Sequence, residues 1–306
     1  MNRVRSLHYQ RMMTVGGLAL GFALCVSLFQ HVQLSGEDFA ALAGSMTSAL
    51  ALLSVFGVVV LSYLLMIAGA RKWALLSHAL HGEAGREPSR GFFLRHYLWQ
   101  NWIGQFVPPS VAIIAGRGVA ARAMPDVTAR SGLWNGVLDQ GLEFILLASL
   151  LGGSFMVFLN GGGWLALIGY GVAGVAAVFG AAWVGQRWLP AALRAVLWPV
   201  LGWSLARVLL TTLRLVIGVW AFSLSLSALS VVAATPVVGM LAVIPLTPAN
   251  LGIAEWGWQG VLAFAGENSV QAALYPVGFR VLVLLAQTLL LGVNEVFVRF
   301  PRKLVN

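Results

Sequence analysis

Charged residues are scarce in this sequence. They occupy 9% of its 306 positions, against about a quarter in soluble domains. With 59% hydrophobic residues and a mean hydropathy of +0.86, that shortage excludes an ordinary soluble fold and leaves an integral membrane protein. Cysteine is scarcer still. Cys25 stands alone, so no disulfide framework within the chain and no Cys/His zinc spacing can be written. His8, His31, His78, His81 and His96 lie at ends and connections rather than at metal spacing. Neither a metal nor a cofactor is expected. The glycines at 161–163 are not followed by the Lys-Ser/Thr of a phosphate loop, and no other nucleotide signature is present. A formal net charge of +9 would suit nucleic acid, but Lys and Arg fall mostly in short segments between apolar runs. Positive charge there marks the cytoplasmic side, and no nucleic-acid partner is expected.

What the sequence does have is long apolar runs. Six, near 12–33, 45–69, 132–158, 163–185, 197–222 and 271–297, have the length of about 20 residues that a membrane-spanning helix needs. Arg3, Arg5 and Arg11 precede the first, and no clear small-residue cleavage site follows, which predicts an uncleaved anchor. The first connection carries Glu37 and Asp38, and the second carries Arg71, Lys72, Arg86, Arg90 and Arg95. That asymmetry places the N-terminus and the second connection in the cytoplasm. Arg299, Arg302 and Lys303 place the C-terminus there too.

Two further apolar stretches, 92–116 and 227–266, are interrupted. The first has positive charge at both ends, Arg95 on one side and Arg117, Arg122 and Arg130 on the other. Its middle contains Pro108 and Pro109, which cannot continue a helix. A re-entrant hairpin over 92–122 satisfies both facts. The second stretch has no Lys or Arg at its flanks and breaks at Pro245, Pro248, Asn250 and Gly252. It reads as a hairpin over 227–266 dipping in from the opposite side, although two complete spans would have the same parity. The chain 1–306 is thus expected to be one all-α polytopic membrane domain of six spans and two hairpins, or up to eight spans. Its halves 1–158 and 159–306 follow the same order from opposite sides, as in an inverted-topology repeat. In such proteins broken segments at matching positions meet near the midplane and line a cavity.

Ionisable residues inside apolar runs are costly and are candidates for function. Arg207 and Arg214 are seven residues apart and share a helical face with Thr211 between them. Arg280 lies inside the last run, and Asp139, Glu143, Glu255 and Glu295 supply intramembrane acids. Structural ion pairs, snorkelling of Glu295 and helix capping by Glu255 are the plainer explanations. Lys stands in none of the six runs. Arginine offers a planar fork of donors suited to phosphate oxygens.

PLTPANLGIAE at 245–255 resembles the second signature of the lysylphosphatidylglycerol synthase transmembrane region, the flippase-like integral membrane family. Pro245, Thr247, Gly252 and Glu255 fall on the pattern, while Ala249, Asn250 and Ala254 depart from it. ARKWALL at 70–76, FVPPSVAIIAGRGVAARA at 106–123, which contains Arg117, and VLDQGLEF at 137–144, with Asp139, resemble further elements of the family. The resemblance implies a bacterial cytoplasmic (inner) membrane protein that moves an anionic or aminoacylated phospholipid between leaflets. With nine residues after Phe297 in this sequence, no soluble synthase domain is expected. Three functions are expected in descending order. The first is a lipid flippase or transporter, with the three arginines on phosphate and anionic membrane lipid as partner. Next comes a non-catalytic membrane subunit holding a cytoplasmic lipid-synthesis enzyme. Last is a membrane enzyme acting on a lipid-linked substrate, with Glu255 or Asp139 as base.

Overall fold

A computed structural model of the chain describes residues 19–89, 91–243, 247 and 250–299. Every regular element among them is helical, as hydrocarbon demands of a backbone that must satisfy its own N–H and C=O groups. The helices are α1 (Ala19–Val32), α2 (Gly36–Ser45), α3 (Ala49–His81), α4 (Phe92–Ile103), α5 (Pro109–Ala121), α6 (Ala129–Asn160), α7 (Trp164–Gly185), α8 (Ala191–Ala221), α9 (Ala228–Val243), α10 (Ile253–Phe264) and α11 (Ser269–Arg299). Five of them, α3, α6, α7, α8 and α11, are long and apolar enough to cross a membrane. The protein is an all-α polytopic membrane protein.

Four apolar runs, 132–158, 163–185, 197–222 and 271–297, fall on α6, α7, α8 and α11. The first two runs differ from the helices in their bounds. Of the run 12–33, the described part is α1, after which the chain bends by 92° into α2, and among the described residues a sixth span is counted when the bent pair is taken as one. The bend has a local cause. The Ser35 hydroxyl accepts from the Asp38 N–H at 3.3 Å while the Asp38 carboxylate accepts from the Ser35 N–H at 2.8 Å, a capping box that starts a new helix. The second run does not end near 69. Arg71 and Lys72 lower the local hydropathy, yet nothing breaks the helix until Gly82, whose φ is +57°. The 33 residues of α3 extend about 50 Å. Lys72 therefore lies within a helix that includes a predicted span, and its side chain is fully buried.

Both interrupted stretches are helix–break–helix. Their limbs have 12 and 13 residues in the first and 16 and 12 in the second. At 1.5 Å per residue each limb is about 18–24 Å long, short of a hydrocarbon core of about 30 Å. Limbs of that length fit the expected hairpins better than the two complete spans that were the alternative for 227–266. Pro109 opens α5 at a first-turn position with Pro108 before it, where a missing N–H costs nothing. The limbs fold back on each other: a Cβ on Gly116 would lie 2.4 Å from Gln100 Cγ, and one on Gly257 would lie 3.1 Å from Leu241 Cδ1.

The largest helix–helix contact joins α3 to α8, and α5 lies along α6. Glycines on α6 allow that second approach, since a Cβ on Gly136 would meet the Ile114 Cα at 2.7 Å. Helix α7 is peripheral, with only Leu167 buried. Gly136→Ala should therefore lower stability by about 1–3 kcal/mol through overpacking, read as a fall in the unfolding temperature of the detergent-solubilised protein. Gly141→Ala, on the same helix with nothing within 4 Å of its Cβ, should be neutral or stabilising.

Candidate functional site

Between the two broken segments lies a cavity of about 370 Å³. Gly104, Pro109 and Ser110 from the first break line it, as do Val243 and Asn250 from the second. The segments touch directly where the Ser110 hydroxyl donates to the Val243 carbonyl at 3.3 Å.

Three arginines reach this space. Arg207, Thr211 and Arg214 line it from one face of α8, and Arg280 lines it from α11. Arg207 Nη1 is 2.7 Å from Glu143 Oε2, and Arg280 Nε is 2.6 Å from Glu255 Oε1. Arg214 differs: it forms no ion pair among the described residues. Its Nη1 donates to the Ser62 hydroxyl at 3.2 Å, and its guanidinium sits 5.6 Å from the centre of the Phe279 ring. Two cations in the cavity are neutralised and one is not, so the cavity is electropositive. Such a space favours an anion with oxygen acceptors.

The second break shows how Glu255 is held. Asn250 adopts φ +54° and Gly252 φ +80°, left-handed conformations that Asn and Gly tolerate best. The Asn250 side chain donates to the Ala242 carbonyl at 2.6 Å and the Thr247 hydroxyl to the Leu251 carbonyl at 2.9 Å, so polar side chains replace the interrupted helix ladder. Glu255 stands at the third position of α10, where its Oε2 accepts from the Gly252 N–H at 2.7 Å. Capping and ion pairing thus use different oxygens of one carboxylate. Helix α1 covers the break: the Trp256 indole donates to the Leu24 carbonyl at 2.8 Å, and a Cβ on Gly252 would lie 2.4 Å from Leu24 Cβ. Pro245 and Pro248 lie outside the described residues.

Arg117 and Asp139 do not join the cavity. They form a separate cluster with Lys72, in which all three side chains are fully buried. Lys72 Nζ is 2.6 Å from Asp139 Oδ1 and 3.0 Å from the Asp139 carbonyl, while Arg117 pairs with Asp139 Oδ2. Arg117 also donates to the Asn135 carbonyl at 3.2 Å and lies 5.2 Å from the centre of the Trp73 ring. As sequence features Arg117 and Lys72 marked membrane edges; the fold makes them interior charges. Lys72, Asn135 and Tyr97, whose ring centre lies 5.5 Å from the Arg207 guanidinium, were not among the sequence candidates. A helix uninterrupted to Gly82 was the available signal for Lys72; nothing in the sequence pointed to the other two. Glu295, read as snorkelling, receives both Arg95 Nε at 2.7 Å and Nη2 at 2.9 Å, and the Trp99 indole at 3.0 Å. That pairing ties α4 to α11. The described residues contain no group of three or more His, Cys, Asp or Glu able to hold a metal.

The chain matches no protein-family model, no curated protein and no solved structure at a significant level.

Removing one partner of a buried ion cluster costs about 3–5 kcal/mol because it strands the others. Asp139→Asn, which strands both Lys72 and Arg117, should therefore depress folding yield and unfolding temperature. Glu143→Gln should do so far less, since its side chain is 19% exposed and Arg207 lines the cavity. Equal losses in the two variants, measured by thermal unfolding in detergent, would contradict the separation of the clusters.

Proposed function

We propose that this protein is a lipid transporter of the bacterial cytoplasmic membrane. It moves a lipid with a charged, phosphate-containing headgroup through the cavity between the broken segments, while the tails remain in the bilayer. The observation that most supports the reading is Arg214, a cation without a carboxylate in a cavity that two other arginines share. Arginine binds phosphate oxygens through a planar fork. Arg214 anchors the phosphate, and Arg207 and Arg280 turn from Glu143 and Glu255 toward it as it arrives. Once released, those carboxylates are available to an amino group on the headgroup.

In this reading 1–158 and 159–306 are inverted repeats, with both termini cytoplasmic. Helices α4 and α5 dip in from the cytoplasmic side and α9 and α10 from the other side. The resemblance of 245–255 and 106–123 to the flippase-like family points the same way. Broken helices whose loosened backbone lines a central cavity are the usual architecture of alternating access. Neither catalysis nor nucleotide use is part of the proposal.

Transbilayer movement of labelled anionic, zwitterionic and isoprenoid-phosphate lipids in proteoliposomes tests it. Wild type should move the phosphate-bearing anionic class. Arg214→Ala should slow that movement at least about tenfold, since a charge-assisted hydrogen bond is worth about 1.5–3 kcal/mol, without lowering the unfolding temperature. Folded, inserted wild type that moves no lipid would overturn the transporter reading in favour of a membrane subunit for a lipid-synthesis enzyme.

A further inference from the structure

The chain uses arginine at 17 positions and lysine at two, Lys72 and Lys303. Lys72 is thus the only lysine among the described residues, and it occupies the fully buried cluster. The choice matters chemically. A guanidinium keeps its proton under any condition the fold survives, whereas a buried ammonium can exchange one.

The charges around Lys72 do not balance while it is protonated. Asp139 on α6 faces both Lys72 and Arg117 of α5. One helical turn further along α6, Glu143 is already engaged by Arg207 of α8. Tyr97 of α4 lies against that arginine, 5.5 Å from guanidinium to ring centre. The nearest acid of α11, Glu295, is held by Arg95. One positive charge is left over with Lys72 as an ammonium, and none with Lys72 as an amine. Several buried polar atoms near the cavity lack a protein partner. The Tyr97 hydroxyl, both side-chain atoms of Gln100, Arg207 Nε and Gln140 Nε2 are buried without a protein hydrogen-bond partner, and Gln140 lines the cavity. Buried polar groups of this kind are ordinarily satisfied by water, the medium a proton needs.

We infer that Lys72 is a proton-binding site whose occupancy is linked to occupancy of the cavity. An anion beside Arg207 and Arg214 offsets the unpaired charge of Arg214 and so weakens the positive field against which Lys72 takes its proton. As the anion binds, the Lys72 amine takes a proton from water and becomes an ammonium; as it leaves, that proton returns to water. No other bond changes. By linkage, proton binding at Lys72 must strengthen anion binding by the same factor. The inference rests on the cavity being an anion site, but not on lipid crossing the bilayer.

With only two lysines, the side chain can be watched directly. The protein is labelled with 13C-lysine, placed in nanodiscs of phosphatidylcholine, and titrated by NMR, with Lys303→Arg assigning the two signals. The Lys72 signal should titrate. Replacing part of the phosphatidylcholine with phosphatidylglycerol should raise its midpoint by about one pH unit, the effect of a unit charge roughly two helical turns away at an effective dielectric near 20. Arg214→Gln should remove that rise. A Lys72 signal that stays ammonium across the folded range in both lipids would overturn the inference. So would a rise of equal size in wild type and Arg214→Gln, which would report membrane surface potential alone. Failure of lipid movement in proteoliposomes, with the linked titration intact, would count against the transport reading and leave this one standing.

Discussion

A carboxylate fully buried in a membrane protein must be compensated, and Asp139 is compensated twice. Lys72 arrives from α3 and Arg117 from α5, so one side chain of α6 joins three helices. An isolated charge in so apolar a site would cost several kcal/mol. The helices are therefore held in the one arrangement that brings both cations to it. The cavity inherits its geometry from there. Glu143 is one turn along α6 and meets Arg207 of α8. Arg214 follows two turns further along α8, at the height of α11 and Phe279. A shift of α6 against α3 would move the cavity cations with it.

The second break works under a related constraint, with one carboxylate meeting two demands. Helix α10 begins at a strained turn, and its first N–H groups need an acceptor. Arg280 needs a counter-charge. Glu255 serves the Gly252 N–H with one oxygen and Arg280 with the other. The start of α10 is in this way linked to α11. If Arg280 turns toward an anion, the cap remains in place, so the arginine can change partners without unravelling the helix. Capping and ion pairing, the competing explanations for an acid at that position, hold together.

Much of this was legible in the sequence. Four apolar runs fell on their helices, the first segment breaks between Gly104 and Pro108 and α10 of the second starts after Gly252, and the seven-residue spacing of Arg207 and Arg214 put both on one wall. What the sequence concealed was partnership. Asp139 and Glu143 are four residues apart and share a face of α6, yet they belong to different environments: Asp139 meets Lys72 and Arg117, and Glu143 lines the cavity with Arg207. Arg117 and Lys72 read as edge charges because hydropathy falls around them. A window average cannot register that a carboxylate on another helix removes the cost of burial. What the first connection concealed was helix α2, since the capping box at Ser35 and Asp38 that starts it is a short signal.

Moving two cations into the interior also changes what supports the proposed sidedness. Without Lys72 and Arg117, Arg71 on α3 and Arg86 after it remain exposed, as do Arg122 at the end of α5 and Arg130 at the start of α6, while Arg90 lies outside the described residues. Arg95 is engaged by Glu295 and counts for less. The inequality still favours placing both ends of the α4–α5 segment on one face, because the connection between α1 and α2 carries no cation. The margin is narrower than a count of the sequence alone implies. Positive charge near an apolar run marks the cytoplasmic side only where it remains in water. In a protein that buries arginine and lysine against its own carboxylates, each cation has to be assigned to a partner before it can be assigned to a side.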